Sequence, residues 1–166
     1  MKLEINTRED LNKAIEVLVE TFEQQHGTEA KDEIHYIDLG LPSGTKWADR
    51  NLEGYFTFDE ACKAGAPSAV QMAELYEECE WEWDNQKKGY TVTGPNGNSI
   101  FLPAAGYRCD NKGEPCCVGS EGDYWTKCPS KTSASYGRYL GFYSGGVSPL
   151  NNYYRAYGFS VRPVQE

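Results

Sequence analysis

Residues Tyr136–Val164 read YGRYLGFYSGGVSPLNNYYRAYGFSVRPV, and the fold turns on how this stretch divides between core and surface. It holds six of the chain's twelve tyrosines, with Tyr124 shortly before it. Alternation sends Leu140 and Phe142 to a buried face and Tyr139, Gly141 and Tyr143 to the opposite one, as in a half-buried strand. Ser144-Gly145-Gly146 is a turn, Val147 to Tyr157 a strand-and-loop excursion, and Phe159 and Val161 point inward on a closing segment. Between Tyr124 and Gln165 there is no acidic residue, while Lys127, Lys131, Arg138, Arg155 and Arg162 supply five positive charges. Tyr offers a large amphipathic contact area for few rotors, and Ser, Gly and Asn adapt their hydrogen bonding, so this mixture suits a recognition surface. Two readings follow from composition: a displayed binding surface with an acidic partner, or a Tyr-rich sheet edge with no ligand.

Upstream, short strands and tight turns dominate. Gly89–Thr93 and Asn98–Pro103 flank Gly94-Pro95-Asn96-Gly97, a hairpin signal. Trp81 and Trp83 alternate with acidic residues, and Glu78, Glu80, Glu82 and Asp84 form a solvated face. Ala104–Arg108 extends the second strand, and Cys109–Asp123 is a long polar loop. Residues 35–40 and 46–48 read as strands around the turn LPSGT. Two short helices lie between, Thr57–Ala64 and one from Pro67-Ser68, where Ser68 and Gln71 make a capping box. Met72, Leu75, Tyr76 and Cys79 mark the second helix's core face.

At the N-terminus Leu3 and Ile5 alternate like a strand, and Asn6 or Thr7 caps a helix with Glu9 and Asp10 in its first turn. Its apolar stripe is Leu11, Ile15, Leu18 and Phe22, ending near Gly27. That stripe must be covered by its own domain, by a copy of itself, or by a larger assembly. Two domains are therefore expected: residues 1–33, a strand and amphipathic helix for docking or oligomerisation, and residues 34–166, a ligand-binding domain.

The net charge of −9 argues against general nucleic-acid or membrane binding. No apolar run reaches membrane-spanning length, and MKLEINTRED lacks the core of a secretion signal. Reduced thiols are then the default for the six cysteines, though Cys109 and Cys128 would staple a loop in an oxidising compartment. No Cys/His spacing suggests zinc, and His26 and His35 lie too far upstream for a Ser-His-Asp set. The carboxylate-free tail disfavours calcium. No catalytic residue, metal or cofactor is expected, and the protein reads as a binder, not an enzyme.

The motifs YIDLGLPSGTKWA, NGNSIFLPAAGYR, YW and YYRAYGFSVRPV resemble the Fibrobacter succinogenes major paralogous domain of gut Bacteroidetes and their phages, over roughly His35 to Val164. That family is similar to formylglycine-generating-enzyme-type domains and to C-type-lectin-like variable proteins of diversity-generating retroelements, in which adenine-directed mutagenesis rewrites a C-terminal segment. The resemblance implies an α+β, C-type-lectin-like fold of the formylglycine-generating-enzyme-like subtype, with a small twisted antiparallel sheet, two short helices and long loops. It also implies that Tyr36–Leu39 lies near Phe159–Arg162. The implied hypervariable, ligand-binding positions are Tyr139, Gly141, Tyr143, Gly146, Ser148, Asn151, Asn152, Tyr153, Tyr154, Ala156 and Tyr157, with Arg155 and the Gly158–Val164 tail as scaffold. The implied function is recognition of a cell-surface protein or glycan, as in phage or prophage receptor binding, with homo-oligomerisation or virion docking through the N-terminal helix. The expected location is the virion if phage-encoded, otherwise the cytoplasm. The alternative is a non-diversified bacterial structural or interaction protein. An enzyme of the formylglycine-generating type is disfavoured, because only Cys128 follows Trp125 and Arg162 stands where a second thiol is wanted nearby.

Overall fold

The computed structural model describes residues 7–25, 33–110 and 113–166. The chain divides into two compact units, Met1–Glu33 and Ile34–Glu166. In the first, α1 runs Arg8–Gln25. Thr7 caps it reciprocally: its Oγ1 accepts from Asp10 N at 3.1 Å, and the Asp10 carboxylate accepts from Thr7 N at 3.0 Å. Leu11, Ile15 and Leu18 are exposed along the apolar stripe. The expected Leu3–Ile5 strand, the Phe22 side chain and the Gly27 stop lie outside the described residues.

The second unit is α+β, with three small antiparallel sheets. β1 (Tyr36–Asp38), β2 (Lys46–Ala48) and β9 (Val164–Gln165) form one sheet, β3 (Glu80–Asp84), β4 (Gly89–Thr93) and β5 (Ser99–Pro103) a second, and β6 (Glu121–Pro129), β7 (Tyr136–Tyr143) and β8 (Gly146–Tyr154) a third. The expected single sheet is thus three. The irregular chain around Tyr107 and Phe159 joins neighbours only by one-residue bridges, such as Phe56 with Phe159 and Tyr124 with Ser160, so no continuous ladder forms. Two helices, α2 (Phe58–Lys63, capped by Thr57) and α3 (Ala69–Glu78, with the Ser68/Gln71 capping box), pack on the third sheet. In α3, Met72 and Leu75 are buried, but Tyr76 lies at the stripe's edge and is 38% exposed. Among the described residues no helix is long and apolar enough to cross a membrane.

Three further expectations need correction. Phe159–Arg162 does not run beside β1. β1 pairs β2, and the closing segment follows the chain after β2, with Ala48 N donating to Pro163 O at 3.0 Å, Leu52 N to Val161 O at 3.0 Å and Phe56 N to Phe159 O at 2.8 Å. β6 begins inside the presumed loop and continues into the presumed linker. Gly122–Thr126 is buried on both faces, so it shows no polar alternation to reveal a strand. Finally, Cys109 Sγ lies 3.9 Å from Cys116 Sγ, which makes Cys116 and not Cys128 its neighbour.

Aromatic packing joins the second and third sheets. The Tyr90 ring meets Trp81 at 5.7 Å, Trp83 at 5.3 Å and Phe142 at 5.1 Å, all edge-on. Gly122 makes room for Phe142, since a Cβ there would come within 2.1 Å of the ring. A second cluster centres on Trp125, which sits 4.3 Å from Phe159 and 5.5 Å from Phe58.

Arg162 sits where the sheets converge and is 1% exposed. Its Nε donates to Asn51 Oδ1 at 2.8 Å, Nη1 to Ala48 O at 3.0 Å, and Nη2 to Phe101 O. Asn51 Nδ2 donates to Tyr124 Oη at 3.0 Å, and that hydroxyl donates to Pro103 O at 2.7 Å. Burial lowers the Arg162 pKa, with Tyr124 and Asp49 opposing; a guanidinium nonetheless remains charged. Arg162→Met keeps a long unbranched side chain but strands one buried and two half-buried acceptors, each worth about 1–3 kcal/mol at full burial. The variant is expected to lose about 3–5 kcal/mol in urea unfolding; a loss below about 1 kcal/mol would contradict this role.

Candidate functional site

The third sheet has two unlike faces. In register across it, Glu121 opposes Tyr143, Asp123 opposes Gly141 and Trp125 opposes Tyr139. On the other side of β7, Tyr143 opposes Gly146, Gly141 opposes Ser148 and Tyr139 opposes Asn151. These residues share one face, because cross-strand partners point the same way. Leu140 and Phe142 point to the opposite face, into the core. Between Ser148 and Asn151 the strand β8 carries one extra residue. This bulge turns Asn151 onto the Tyr139 face and pairs Asn152 with Arg138 on the other.

The outer face holds two adjoining recesses. The larger, about 380 Å³, is bordered by Tyr139, Gly141, Tyr143, Gly146, Ser148 and Asn151, together with Glu121 and Asp123. Gly141 forms its floor: a Cβ there would meet the Tyr139 ring at 3.0 Å, Asp123 Oδ1 at 3.3 Å and Asn151 Nδ2 at 3.4 Å. Tyr143 stands 59% exposed at the rim, and Ser148 Oγ donates to Asn151 Oδ1 at 2.8 Å. The smaller recess, about 120 Å³, is enclosed by Tyr107, Glu121, Asp123, Tyr139, Tyr153 and Phe159.

The expected positions therefore fall into two groups. Tyr139, Gly141, Tyr143, Gly146, Ser148, Asn151 and Tyr153 border the recesses. Asn152, Tyr154, Ala156 and Tyr157 do not line them. Tyr154 pairs with Tyr136, Ala156 is exposed in the turn after β8, and Tyr157 packs behind the wall, 4.7 Å from Tyr153 and 6.2 Å from Tyr107. Arg155 holds the scaffold: its guanidinium lies 4.7 Å over the Phe58 ring, and its Nε donates to Tyr136 O.

The three arginines of the expected basic surface do not join this face, and Lys127 and Lys131, though exposed, do not border the recesses. Arg162 is buried, Arg138 belongs to the opposite face, and Arg155 is stacked on Phe58. Instead the candidate face carries two carboxylates, Glu121 and Asp123, brought from β6 by strand pairing. Among the described residues neither forms an ion pair. Asp123 is only 8% exposed, and its Oδ2 is buried without a hydrogen-bond partner. Burial, then the Glu121 charge, pushes its carboxyl up to about 7. Burial, then the charges of Asp123, Tyr153 and Glu121, raises Tyr139 to about 12, so its hydroxyl stays neutral near pH 7. Tyr107 is likewise raised to about 12, mainly by burial. Sequence reasoning missed Asp123, Glu121 and Tyr107; the cue available was the spacing of Glu121, Asp123 and Trp125 along one strand face.

Among the described residues no group of three or more His, Cys, Asp or Glu side chains could hold a metal ion. The arrangement is suited to hydrogen bonding through Asn151, Ser148 and the tyrosine hydroxyls, to aromatic contact, and to charge recognition at Asp123. Comparison with family models, curated proteins and solved structures finds no match for this chain.

Asp123 also makes stability depend on pH. Its folded pKa lies above the unfolded value of ~3.9, so the folded state binds more protons between the two. Stability from this group is full below about pH 4 and is lost as pH rises through about 7. Asp123→Asn is therefore expected to be more stable than the parent at pH 8 by roughly 1–3 kcal/mol, with the difference shrinking towards pH 4.5. Urea unfolding at the two values checks this; a variant less stable at pH 8 would contradict it.

Proposed function

We propose that residues 34–166 form a ligand-binding domain of C-type-lectin-like type, the formylglycine-generating-enzyme-like subtype, with the ligand seated on the outer face of β6–β7–β8. The observation that supports this most is convergence. Tyr139, Gly141 and Tyr143 on β7 and Gly146, Ser148 and Asn151 on β8 border one recess with Glu121 and Asp123, brought in from β6. Its residue types are those of an adaptable recognition surface. In this reading the domain is similar to the variable proteins of diversity-generating retroelements, and it recognises a cell-surface protein or glycan, as a phage receptor-binding module does. The exposed Leu11–Ile15–Leu18 stripe of α1 serves docking or self-association. In this reading Asp123 serves recognition and not catalysis.

The scaffold supports the division of labour. The side chains beneath the face, Leu140, Phe142 and Tyr124, are buried. Residues at the rim contribute little to the core, so they tolerate change. A surface-protein and glycan screen with the full chain tests the reading. Changing Tyr143, Ser148 and Asn151 together to Ala is expected to weaken any selected ligand at least about tenfold, or ~1.4 kcal/mol. Asn152→Ala, on the other face, is expected to leave it unaltered. Equal binding by the parent and the triple variant would sink the assignment.

A further inference from the structure

The smaller recess has a composition that the recognition surface alone does not explain. Four aromatic rings and two carboxylates enclose it, and one carboxylate oxygen, Asp123 Oδ2, is buried with no partner. An unsatisfied buried acceptor costs about 1–3 kcal/mol, more if charged. Around it the rings are close: Tyr139 to Phe159 is 4.8 Å, Tyr153 to Phe159 6.0 Å, Tyr139 to Tyr153 6.1 Å and Tyr107 to Phe159 6.3 Å. Ring faces carry partial negative charge and attract cations, by ~0.5–2 kcal/mol each. Among the described residues no Lys or Arg pairs with Asp123 or Glu121.

We propose that this recess is a cage for a primary ammonium group, with Asp123 as the counter-charge, Glu121 reinforcing it, and Tyr107, Tyr139, Tyr153 and Phe159 as walls. The proposal rests on reading this sheet face as a ligand surface, and it names the chemistry recognised there. An anion meets two carboxylates and is repelled. An apolar group leaves the Asp123 charge uncompensated. A neutral hydroxyl brings no compensating charge. An ammonium group neutralises the buried carboxylate and lies against the aromatic walls. The ammonium belongs either to a lysine side chain of a protein ligand or to a small free amine.

Affinity is pH-dependent, because the cation needs Asp123 ionised. The ionisable groups facing Asp123 are Glu121 on its own strand, Tyr139 from β7, Tyr153 from β8 and Tyr107 from the chain before β6. As pH falls through Asp123's raised titration, protons displace the cation and binding weakens.

The test is a titration of the full chain followed by amide NMR shifts, with n-butylamine, N-acetyl-lysine methylamide and their neutral counterparts n-butanol and N-acetyl-norleucine methylamide. The amines are expected to shift Gly122, Asp123 and Gly141 saturably, at least about tenfold more tightly than the neutral probes. Binding is expected to weaken about tenfold or more from pH 8 to pH 5.5. Asp123→Asn is expected to abolish the preference for amine over alcohol while staying folded. Tyr153→Ala is expected to weaken the amines with Asp123 intact. Response to both amines supports a lysine end as the group; response to butylamine alone supports a free amine. Equal binding of alcohol and amine, an unchanged amine preference in Asp123→Asn, or no saturable shift up to about 100 mM amine overturns the cage. The Tyr143/Ser148/Asn151 variant leaves Asp123 and the walls of the smaller recess unchanged, so the cage can fail while the ligand face stands.

Discussion

The buried guanidinium of Arg162 is the constraint on which the rest of this domain depends. It binds the end of β2 through Ala48, the following turn through Asn51, and the middle of β5 through Phe101. Through Asn51 it reaches Tyr124 on β6, whose hydroxyl returns to Pro103 at the end of β5. Arg162, with Asn51 and Tyr124, thus ties together three sheets that share no ladder among the described residues. A charge this deep is tolerable because Asn51 Oδ1, Ala48 O and Phe101 O accept from it in place of water.

The same network fixes the candidate site. Tyr124 is held from below, so its neighbours Asp123 and Trp125 must emerge on the outer face of β6. Trp125 is covered by Phe58, Phe159 and Tyr139, and this packing closes one end of the face. Asp123 is left at the open end, next to Gly141, where the absence of a side chain keeps the floor low. The side chains beneath the recess are thus buried, while Tyr143 at its rim is exposed. The domain also retains a carboxylate whose burial works against stability, a pattern expected at functional positions.

How much of this was legible depends on how local each signal was. The Asn96-Gly97 turn marked the β4–β5 hairpin, the Ser68/Gln71 box marked the start of α3, and the Leu140/Phe142 alternation marked the buried face of β7. β6 was obscured because burial on both faces removes the polar alternation that identifies a strand. Arg162 falls in the tail implied as scaffold, but nothing in the sequence reveals the acceptors that meet it. The resemblance implies both Asn151 and Asn152 as ligand positions; the bulge in β8 keeps Asn151 on that face and sends Asn152 to the other, which no local pattern signals. The carboxylates were missed because Tyr136–Val164 contains none; register with β6 brings them in from earlier in the chain.

The central claim is that ligand binds on the outer face of β6–β7–β8. A crystal structure of the full chain with a ligand recovered by surface selection tests it most directly. The account predicts the ligand over Gly141, between Tyr139 and Tyr143, touching Ser148 or Asn151. A ligand seated instead on the opposite side, in the groove between α3 and Arg138, or bound only along α1, would contradict it.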